Sequence, residues 1–575
     1  MKTQPSLIPY KLNDNDMRQM YSDMENLRGR LLTDRAPYEP LWYAVRDCLD
    51  PQFTIWDPSM SGFPSFIIDI LKFSPPFQAF DDLMTNLQSG ITPASQEWHQ
   101  IEPQDEDLRD DEEVMEFCQK VNSLYKQVFQ KSNFYQTTPM LYRSFSRFLT
   151  GAIMSEEDFD THCRFTCFPI GSFYISNNNK GVVDTFVYEF RWKLRQIVEE
   201  FCTDEEGNVD VSLLDETLQS QWKSETQKEL PKNMVLVIKP NPDHNPSEAK
   251  YNPAKKKYLC VYYIRDAGNK KILELRGFDK FPIWVVRWFR QPTDAYGVDG
   301  PGFKAVGDTN QVYEEVKLKL TALQKVIEPP MTGPASLAGY PRGTTPGFFT
   351  MLPEGQKNDG FKPAYQIQPD LKAIREDIQE LIQNIKKTCL SDLFRMFTDD
   401  QKLQPRTATE VLQKIQEMYN ILGPVYGALE YEWLQPMFDW MWDLFVRQGV
   451  MPPIPKQLQG KVLKVTFVSR VAMALKLAET TSYEKVWAQV QAVFQRNPNI
   501  SDVINDDEML RSYGVLSNLS PKFFNAEDKV QKIRQTRAQQ QKQQQTAERL
   551  PAVAGAAKDL NSAGLLPQGQ GQPQQ

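Results

Sequence analysis

Histidine is scarce in this 575-residue chain: there are three, His99, His162 and His244. A histidine-built active site or metal centre therefore has little to draw on. The motif His162-Cys163-x-x-x-Cys167 supplies three donors at most. A four-ligand zinc site there would have to bring in Cys202 or a carboxylate from elsewhere, and inert structural thiols outweigh zinc as its reading. The seven cysteines (48, 118, 163, 167, 202, 260 and 389) are odd in number and irregularly spaced, which excludes a secreted disulfide framework and points to a reducing compartment. No run of 18 apolar residues occurs, and the first 16 residues lack an apolar core of signal-peptide length, so the chain is expected to be soluble and not membrane-inserted. Gly-Lys-Ser/Thr and G-x-G-x-x-G are both missing, which leaves the glycines of GVDGPGFKAVG (297–307) as a turn leading into a helix, not a nucleotide cradle. Nor is there an excess of positive charge: 66 Lys and Arg face 74 Asp and Glu, a net charge of −8. A global basic surface for tight, salt-sensitive grip on nucleic acid is excluded.

The order and kind of the apolar patterns carry more. From Asp16 to Cys48 and from Pro76 to Thr150, apolar residues recur three and four apart (Met17, Met20, Tyr21, Met24, Leu27; Phe117, Val121, Leu124, Tyr125, Val128), which predicts helices. After Arg164 the texture changes. Aromatic and β-branched runs flank NNNKG (177–181), a hairpin signal. A helix over 191–202 and strands in MVLVIKP, KKYLCVYYIRD, KKILELRGF and FPIWVVRWF complete an antiparallel β module.

Val312, Val316, Leu320, Leu323 and Ile327 then form a stripe along a helix over 303–327, ended by Glu328-Pro329-Pro330. Residues 328–370 carry eight prolines and many glycines and must be loops and short strands. A second helix, 371–396, bears a seam of Leu371, Ile374, Ile378, Leu381 and Ile385 that needs a partner. Each of these two helices would span roughly 37 to 39 Å. A polar loop, TDDQKLQPR, follows, and RTATEV restarts the chain as helix: Thr407 can cap the N–H of Glu410, whose carboxylate reaches back, a capping box. That helix is expected to reach about Gly449. KVLKVTFVSR (461–470) reads as a returning strand, and the last 25 residues hold too little apolar content to pack.

Several of these stretches, in this order, resemble the head-to-tail connector, or portal, proteins of short-tailed bacteriophages. They are FDDLMTNLQSGITPASQEWHQIEP (80–103), SNFYQTTPMLYRSFSRFLTGAIMSEED (132–158), FPIGSFYISNNNKGVVD (168–184), YGVDGPGFKAVGDTNQVYE (296–314), IEPPMT (327–332), RTATEVLQKIQEMYNILGPVYGALEYEWLQPMFD (406–439) and GVMPPIP (449–455). Together they span roughly residues 15 to 500, which makes the resemblance far more specific than any one motif.

The resemblance implies an α+β, mainly helical subunit: an N-terminal wing over 1–302 (helical part 15–150, β module 165–290), a first stem helix 303–327, a clip 328–370 and a second stem helix 371–396. A channel loop follows at 397–406, then a long wing helix and returning strand 407–470, wing and crown helices 471–550, and a disordered tail 551–575. About twelve such subunits would form a homo-oligomeric ring at one capsid vertex, assembled in the host cytoplasm and retained in the virion. Double-stranded DNA would pass through its centre. The implied partners are the terminase large subunit, then a tail adaptor, with the major capsid and scaffolding proteins around the ring. No catalytic residue and no cofactor or metal is implied. Gln401, Lys402, Gln404 and Arg406 would face the DNA, Thr407 and Glu410 would anchor the channel loop, and Val316, Leu320, Leu323, Ile374, Ile378, Leu381 and Ile385 would pack the stem. A net acidic ring agrees with this, because a conduit through which DNA slides should make few strong phosphate contacts.

The competing class is a multi-helical intracellular adaptor that never meets DNA; a metal-dependent enzyme built on Cys163 and Cys167 is weaker still. The acidic runs at Asp105 to Glu113 and Glu156 to Asp158 read as solvated faces, since no nucleophile or histidine pairs with them. The Trp- and Met-rich stretch 430–445 reads as core or subunit interface, and the glutamine run 538–545 as a solvated helix.

Overall fold

The computed structural model describes residues 14–51, 74–105, 108, 111–158, 160–203, 207–242, 253, 256–265, 272–291, 294–327, 329, 331–332, 362–363, 370–390, 422–458, 463–467, 510, 530 and 532–540. The chain divides into two units, one of Met1–Gln100, Lys120–Pro452 and Val465–Ala472, the other of Ile101–Gln119, Pro453–Lys464 and Met473–Gln575. Helices and antiparallel sheet alternate along it: α1 (Asp14–Arg35), α2 (Glu39–Leu49), α3 (Pro75–Ile91), β1 (His99–Pro103), α4 (Glu112–Lys131), α5 (Phe134–Phe148), β2 (Thr150–Asp158), β3 (His162–Phe168), β4 (Phe173–Asn177) and β5 (Val183–Lys193). The short helices α6 (Leu194–Phe201), α7 (Glu216–Trp222) and α8 (Glu225–Lys228) lead to β6 (Pro231–Pro240), β7 (Tyr258–Ile264), β8 (Ile272–Phe278) and β9 (Ile283–Arg287). Then come α9 (Pro301–Ile327), β10 (Met331–Thr332), β11 (Lys362–Pro363), α10 (Leu371–Thr388), α11 (Gln435–Arg447) and β12 (Leu463–Phe467). The fold is thus α+β with an antiparallel module in the middle, as the sequence patterns imply.

In the first unit the module is two sheets. Five strands run in the order β4-β5-β6-β7-β8 and three in the order β3-β2-β9. The NNNKG turn is the hairpin between β4 and β5. Gly181 takes φ +74° there, and the Asn178 and Val182 backbones close it at 2.8 Å, a left-handed position that glycine adopts without a Cβ penalty. Alternation in β5 to β7 puts Val187, Val235, Val237, Val261 and Tyr263 on one face, which Met20, Tyr21, Met24 and Leu31 of α1 cover. Those four α1 residues have the helical spacing of a single stripe. The Arg35 guanidinium, at the C-terminal end of α1, donates to the carbonyls of Gly171 and Phe173 at 2.6 and 3.1 Å and lies 4.0 Å over the Tyr174 ring.

The module starts earlier than the expected residue 165. β2 occupies Thr150–Asp158, where the helical reading ran to Thr150 and left the next residues unassigned. Its TGAIMSEED has little β-branching, and pairing with both β3 (Ala152↔Phe168) and β9 (Ile153↔Trp284) imposes the extended state from outside the segment. Likewise Arg191, the expected start of a helix, is still strand, because β5 pairs with β6 as far as Lys193↔Pro231. Helix α6 begins only at Leu194, after Lys193 in an extended conformation.

The 422–447 helix is interrupted by a π-turn at Glu430–Leu434. Pro436 lies just beyond it. A proline lacks the donor for the carbonyl four residues back and its ring crowds that carbonyl, so the wide turn accommodates it. The helix ends in a Schellman arrangement: Gly449 at φ +67° donates to Val446 O at 3.2 Å and Val450 to Phe445 O at 3.1 Å. The Trp and Met stretch is core, with Trp433, Met437, Phe438, Met441 and Phe445 at most 1 % exposed. Trp98, Phe129 and Phe438 close an aromatic cluster with centroids under 6 Å apart.

In the second unit the Asp111 carboxylate caps the start of α4, accepting from the N–H of Glu113 and Val114 at 2.9 and 3.2 Å. Residues 532–540 are helical and exposed. Among the described residues no helix is long and apolar enough to cross a membrane.

Candidate functional site

The two apolar-striped helices that flank the Pro-rich segment, α9 and α10, pack on each other and are held at one end by α2, α3 and α5. That end is built with close tolerances. Gly302 lies so near the Arg147 carbonyl, and Gly297 so near that of Leu149, that a Cβ at either would overlap backbone. Leu149 itself caps α5 in the left-handed region at φ 61° and accepts from Trp288 N at 2.9 Å. The YGVDGPG stretch is therefore a tightly seated launch for α9, which accounts for its glycines. Two to three turns further on, Asn310 Oδ1 accepts from the Cys48 thiol at 2.9 Å and Tyr313 Oη donates to Cys48 O at 2.9 Å.

Buried charges brace this base. Asp50, 3 % exposed, accepts from Arg143 Nε at 2.8 Å and from Arg147 Nη1 at 3.2 Å, and Arg147 Nη2 reaches Asp81 at 2.5 Å. A second joint ties β9 to the π-turn. Glu432 accepts from the Arg287 N–H at 2.9 Å and from its guanidinium at 3.0 and 2.5 Å. The rest of that guanidinium donates to Asn177 Oδ1, Ala295 O and Gly181 O at 3.0, 3.2 and 3.0 Å. Arg287 thus fixes β9, the NNNKG hairpin, the approach to α9 and the π-turn to one another. Sequence reasoning missed it; the only signal was an arginine ending an otherwise apolar strand, IWVVR.

Away from the base, cover runs out. Along the α9 stripe Val312 is buried, Val316 and Leu323 are half-buried, and Leu320 and Ile327 are 54 % and 76 % exposed; Leu318, off the stripe, is 64 % exposed. On α10, which Asp370 caps by accepting from the N–H of Lys372 and Ala373 at 3.1 Å, Ile385, Ile378 and Leu381 are buried and Ile374 is half-buried. The stem-packing residues are thus brought onto one helix pair, buried near its base and open towards its far end. There the strands β10 and β11 pair antiparallel, Met331 with Pro363 and Thr332 with Lys362, so the Pro-rich segment leaves and returns at adjacent points. Gln401, Lys402, Gln404, Arg406, Thr407 and Glu410 lie outside the described residues.

The other candidates of the sequence do not converge. His162 Nδ1 is engaged by Gln448 Oε1 at 3.0 Å, and burial pushes the thiols of Cys163 and Cys167 up to about 12. Among the described residues no three His, Cys, Asp or Glu side chains gather as a metal site. One expectation is corrected: Glu156 is not on a solvated acidic face but between the two sheets, where burial raises its carboxyl.

The profile of the family described as "Bacteriophage head to tail connecting protein" matches residues 22–524, and the chain belongs to that family. It is 31 % identical over 541 residues to the portal protein of Salmonella phage epsilon15, covering 93 % of this chain and 94 % of that one. To the probable portal protein of Bordetella phage BPP-1 it is 27 % identical over 538 residues, again with 93 % and 94 % covered.

Proposed function

We propose that this chain is the portal subunit of a short-tailed phage: a non-enzymatic protein that closes into a ring of about twelve copies at one capsid vertex, through which double-stranded DNA is packaged and ejected. The observation that carries ring formation is the uncovered part of α9. A helix that buries its stripe at one end and leaves Leu320 and Ile327 open at the other has an apolar surface that the described residues of this chain leave uncovered and a neighbouring copy can cover, and a head-to-tail contact closes into a ring when its rotation allows. In this reading α9 and α10 are the stem, and 328–370 is the clip that meets the terminase large subunit and later the tail adaptor. Major capsid and scaffolding proteins surround the wing, and assembly takes place in the host cytoplasm. Residues 397–406 line the channel, with Gln401, Lys402, Gln404 and Arg406 as its sparse DNA contacts and Thr407 and Glu410 holding its end. The net charge of −8 keeps the DNA from being gripped.

Native mass spectrometry of the full chain, with negative-stain averages, tests this. A closed ring with a central hole is expected; a monomer or dimer at every concentration and salt, with scaffolding protein present as well, overturns it.

A further inference from the structure

Charge is unevenly spread along this chain. Residues 529–575 carry seven Lys and Arg against two Asp and Glu, although the whole chain is net −8, so the acidic excess lies before them. Within that part, residues 529–547 hold Lys529, Lys532, Arg534, Arg537 and Lys542, eight glutamines and no acidic residue. The centre of this stretch, 532–540, is helix, and every residue of it is exposed.

The helix has no face for an apolar partner. Its one large apolar residue, Ile533, is 39 % exposed, and the other eight positions are Lys, Arg, Gln, Thr and Ala. A helix that docks in a protein groove or lies on a lipid surface needs an apolar stripe along one side, and none runs along 532–540. Cations stand on two sides instead. Arg534 and Arg537, three residues apart, are neighbours, and Lys532 lies roughly 170° round the helix from them. Lys532 and Arg537 form no ion pair among the described residues. Like charges at the spacing of Arg534 and Arg537 repel, and a polyanion laid against them relieves that repulsion.

We propose that this helix binds double-stranded DNA through its phosphates, with Lys532, Arg534 and Arg537 on phosphate oxygens and the amides of Gln535 and Gln539 donating beside them. A helix that is cationic on two sides and lacks an apolar stripe fits a ligand recognised by charge alone. Duplex DNA is such a ligand, with one negative charge per about 1.7 Å of axis set along a helix about 13 Å long. Contacts of this kind fix position and read no sequence. Three cations hold DNA weakly, and it rests on the portal reading that copies of the helix in one ring act together and raise the avidity. The contact lies outside residues 397–406. It is compatible with a net acidic chain because the cations are confined to one short segment.

The test is fluorescence anisotropy on the full-length protein with a fluorescein-labelled duplex of about 30 base pairs, between about 50 and 200 mM NaCl. Across that range the parent's affinity should fall by about 40-fold or more. The triple variant Lys532→Gln, Arg534→Gln, Arg537→Gln should bind about ten-fold or more weaker at the lowest salt, with a slope of log affinity on log salt shallower by about 2 to 3 and thermal unfolding unchanged. Exchange of cation for cation (Lys532→Arg, Arg534→Lys, Arg537→Lys) should retain the parent's affinity and slope. The proposal is overturned if no saturable binding occurs at the lowest salt, if the glutamine variant binds the duplex as the parent does, or if the cation exchange loses binding. Tighter binding of labelled poly-glutamate or of anionic phospholipid vesicles than of the duplex overturns it as well, because an acidic protein surface or a lipid headgroup is then the ligand. Native mass spectrometry of the same samples separates the two readings. Intact rings with unchanged DNA binding by the glutamine variant reject the helix contact and leave the portal reading standing; loss of binding by that variant in a protein that forms no ring rejects the portal reading and leaves the contact.

Discussion

Arg287 and Glu432, 145 residues apart, form one buried ion pair in which, among the described residues, the carboxylate's polar contacts are to arginine: both oxygens to Arg287, one also 3.6 Å from Arg290 Nε. Removing either partner strands the other in a site where Arg287 is 2 % exposed. Arg287→Ala and Glu432→Ala should each cost about 3 to 5 kcal/mol. A double-mutant cycle by urea unfolding checks that the pair, and not cavity formation alone, is responsible. Additive single effects would refute the coupling.

The seat of α9 gives a contrast between two glycines of one helix. Gly302→Ala drives a Cβ into the Arg147 carbonyl and should cost about 2 kcal/mol or more, since backbone must move. Gly307→Ala meets nothing within 4 Å and should stabilise by about 0.5 to 1 kcal/mol through helix propensity. Thermal melts of the two variants side by side decide this.

For ring assembly, the exposed and the buried ends of the helix pair should separate stability from association. Leu320→Asp should leave the isolated subunit within about 0.5 kcal/mol of the parent yet block the ring, because the carboxylate would be buried unpaired between copies. Ile378→Asp should damage both, by several kcal/mol per subunit. Sedimentation velocity reads association and denaturant unfolding reads stability. Normal rings from Leu320→Asp would show that this end of α9 is not an interface.

Acid should loosen the aromatic core. His99 is packed between Trp98, Tyr125, Phe129 and Phe438, and burial lowers its pKa to about 4 from 6.5. Between those values the unfolded chain takes up a proton that the folded chain refuses, so stability is complete above about pH 6.5 and falls as pH drops towards 4, by up to about 3 kcal/mol. His99→Gln, which cannot titrate, should show a smaller drop in melting temperature between pH 7 and 5 than the parent.

On the proposal that residues 397–406 line the channel, Lys402→Ala with Arg406→Ala should change DNA retention after packaging while leaving ring mass untouched. Unchanged packaging and retention would remove the loop from the DNA path.

What the sequence made legible was whatever repeats locally. The α1 stripe, the stripes of α9 and α10, the NNNKG turn and the strands β6 to β9 each carry their own period or turn chemistry. β2 does not, because its extended state comes from partners on either side. The same reasoning covers the site. Leu320 and Ile378 announce themselves by spacing, but Arg287 and Glu432, or Asp50 and Arg147, are single charges whose meaning depends on residues tens to hundreds of positions away. Glu156 looked like part of an acidic run and is instead separated from Glu157 by the pleat, which turns alternate strand residues to opposite faces.

The two-residue pairing of β10 with β11 has an architectural corollary. Because residues 331–332 and 362–363 lie side by side, everything between them is threaded through a single gate whose width is set by the sheet and not by the length of the insert. Lengthening such a loop costs only about 0.6 kcal/mol per doubling. The segment between the two strands can therefore be exchanged as a cassette, while the helices α9 and α10 keep their place.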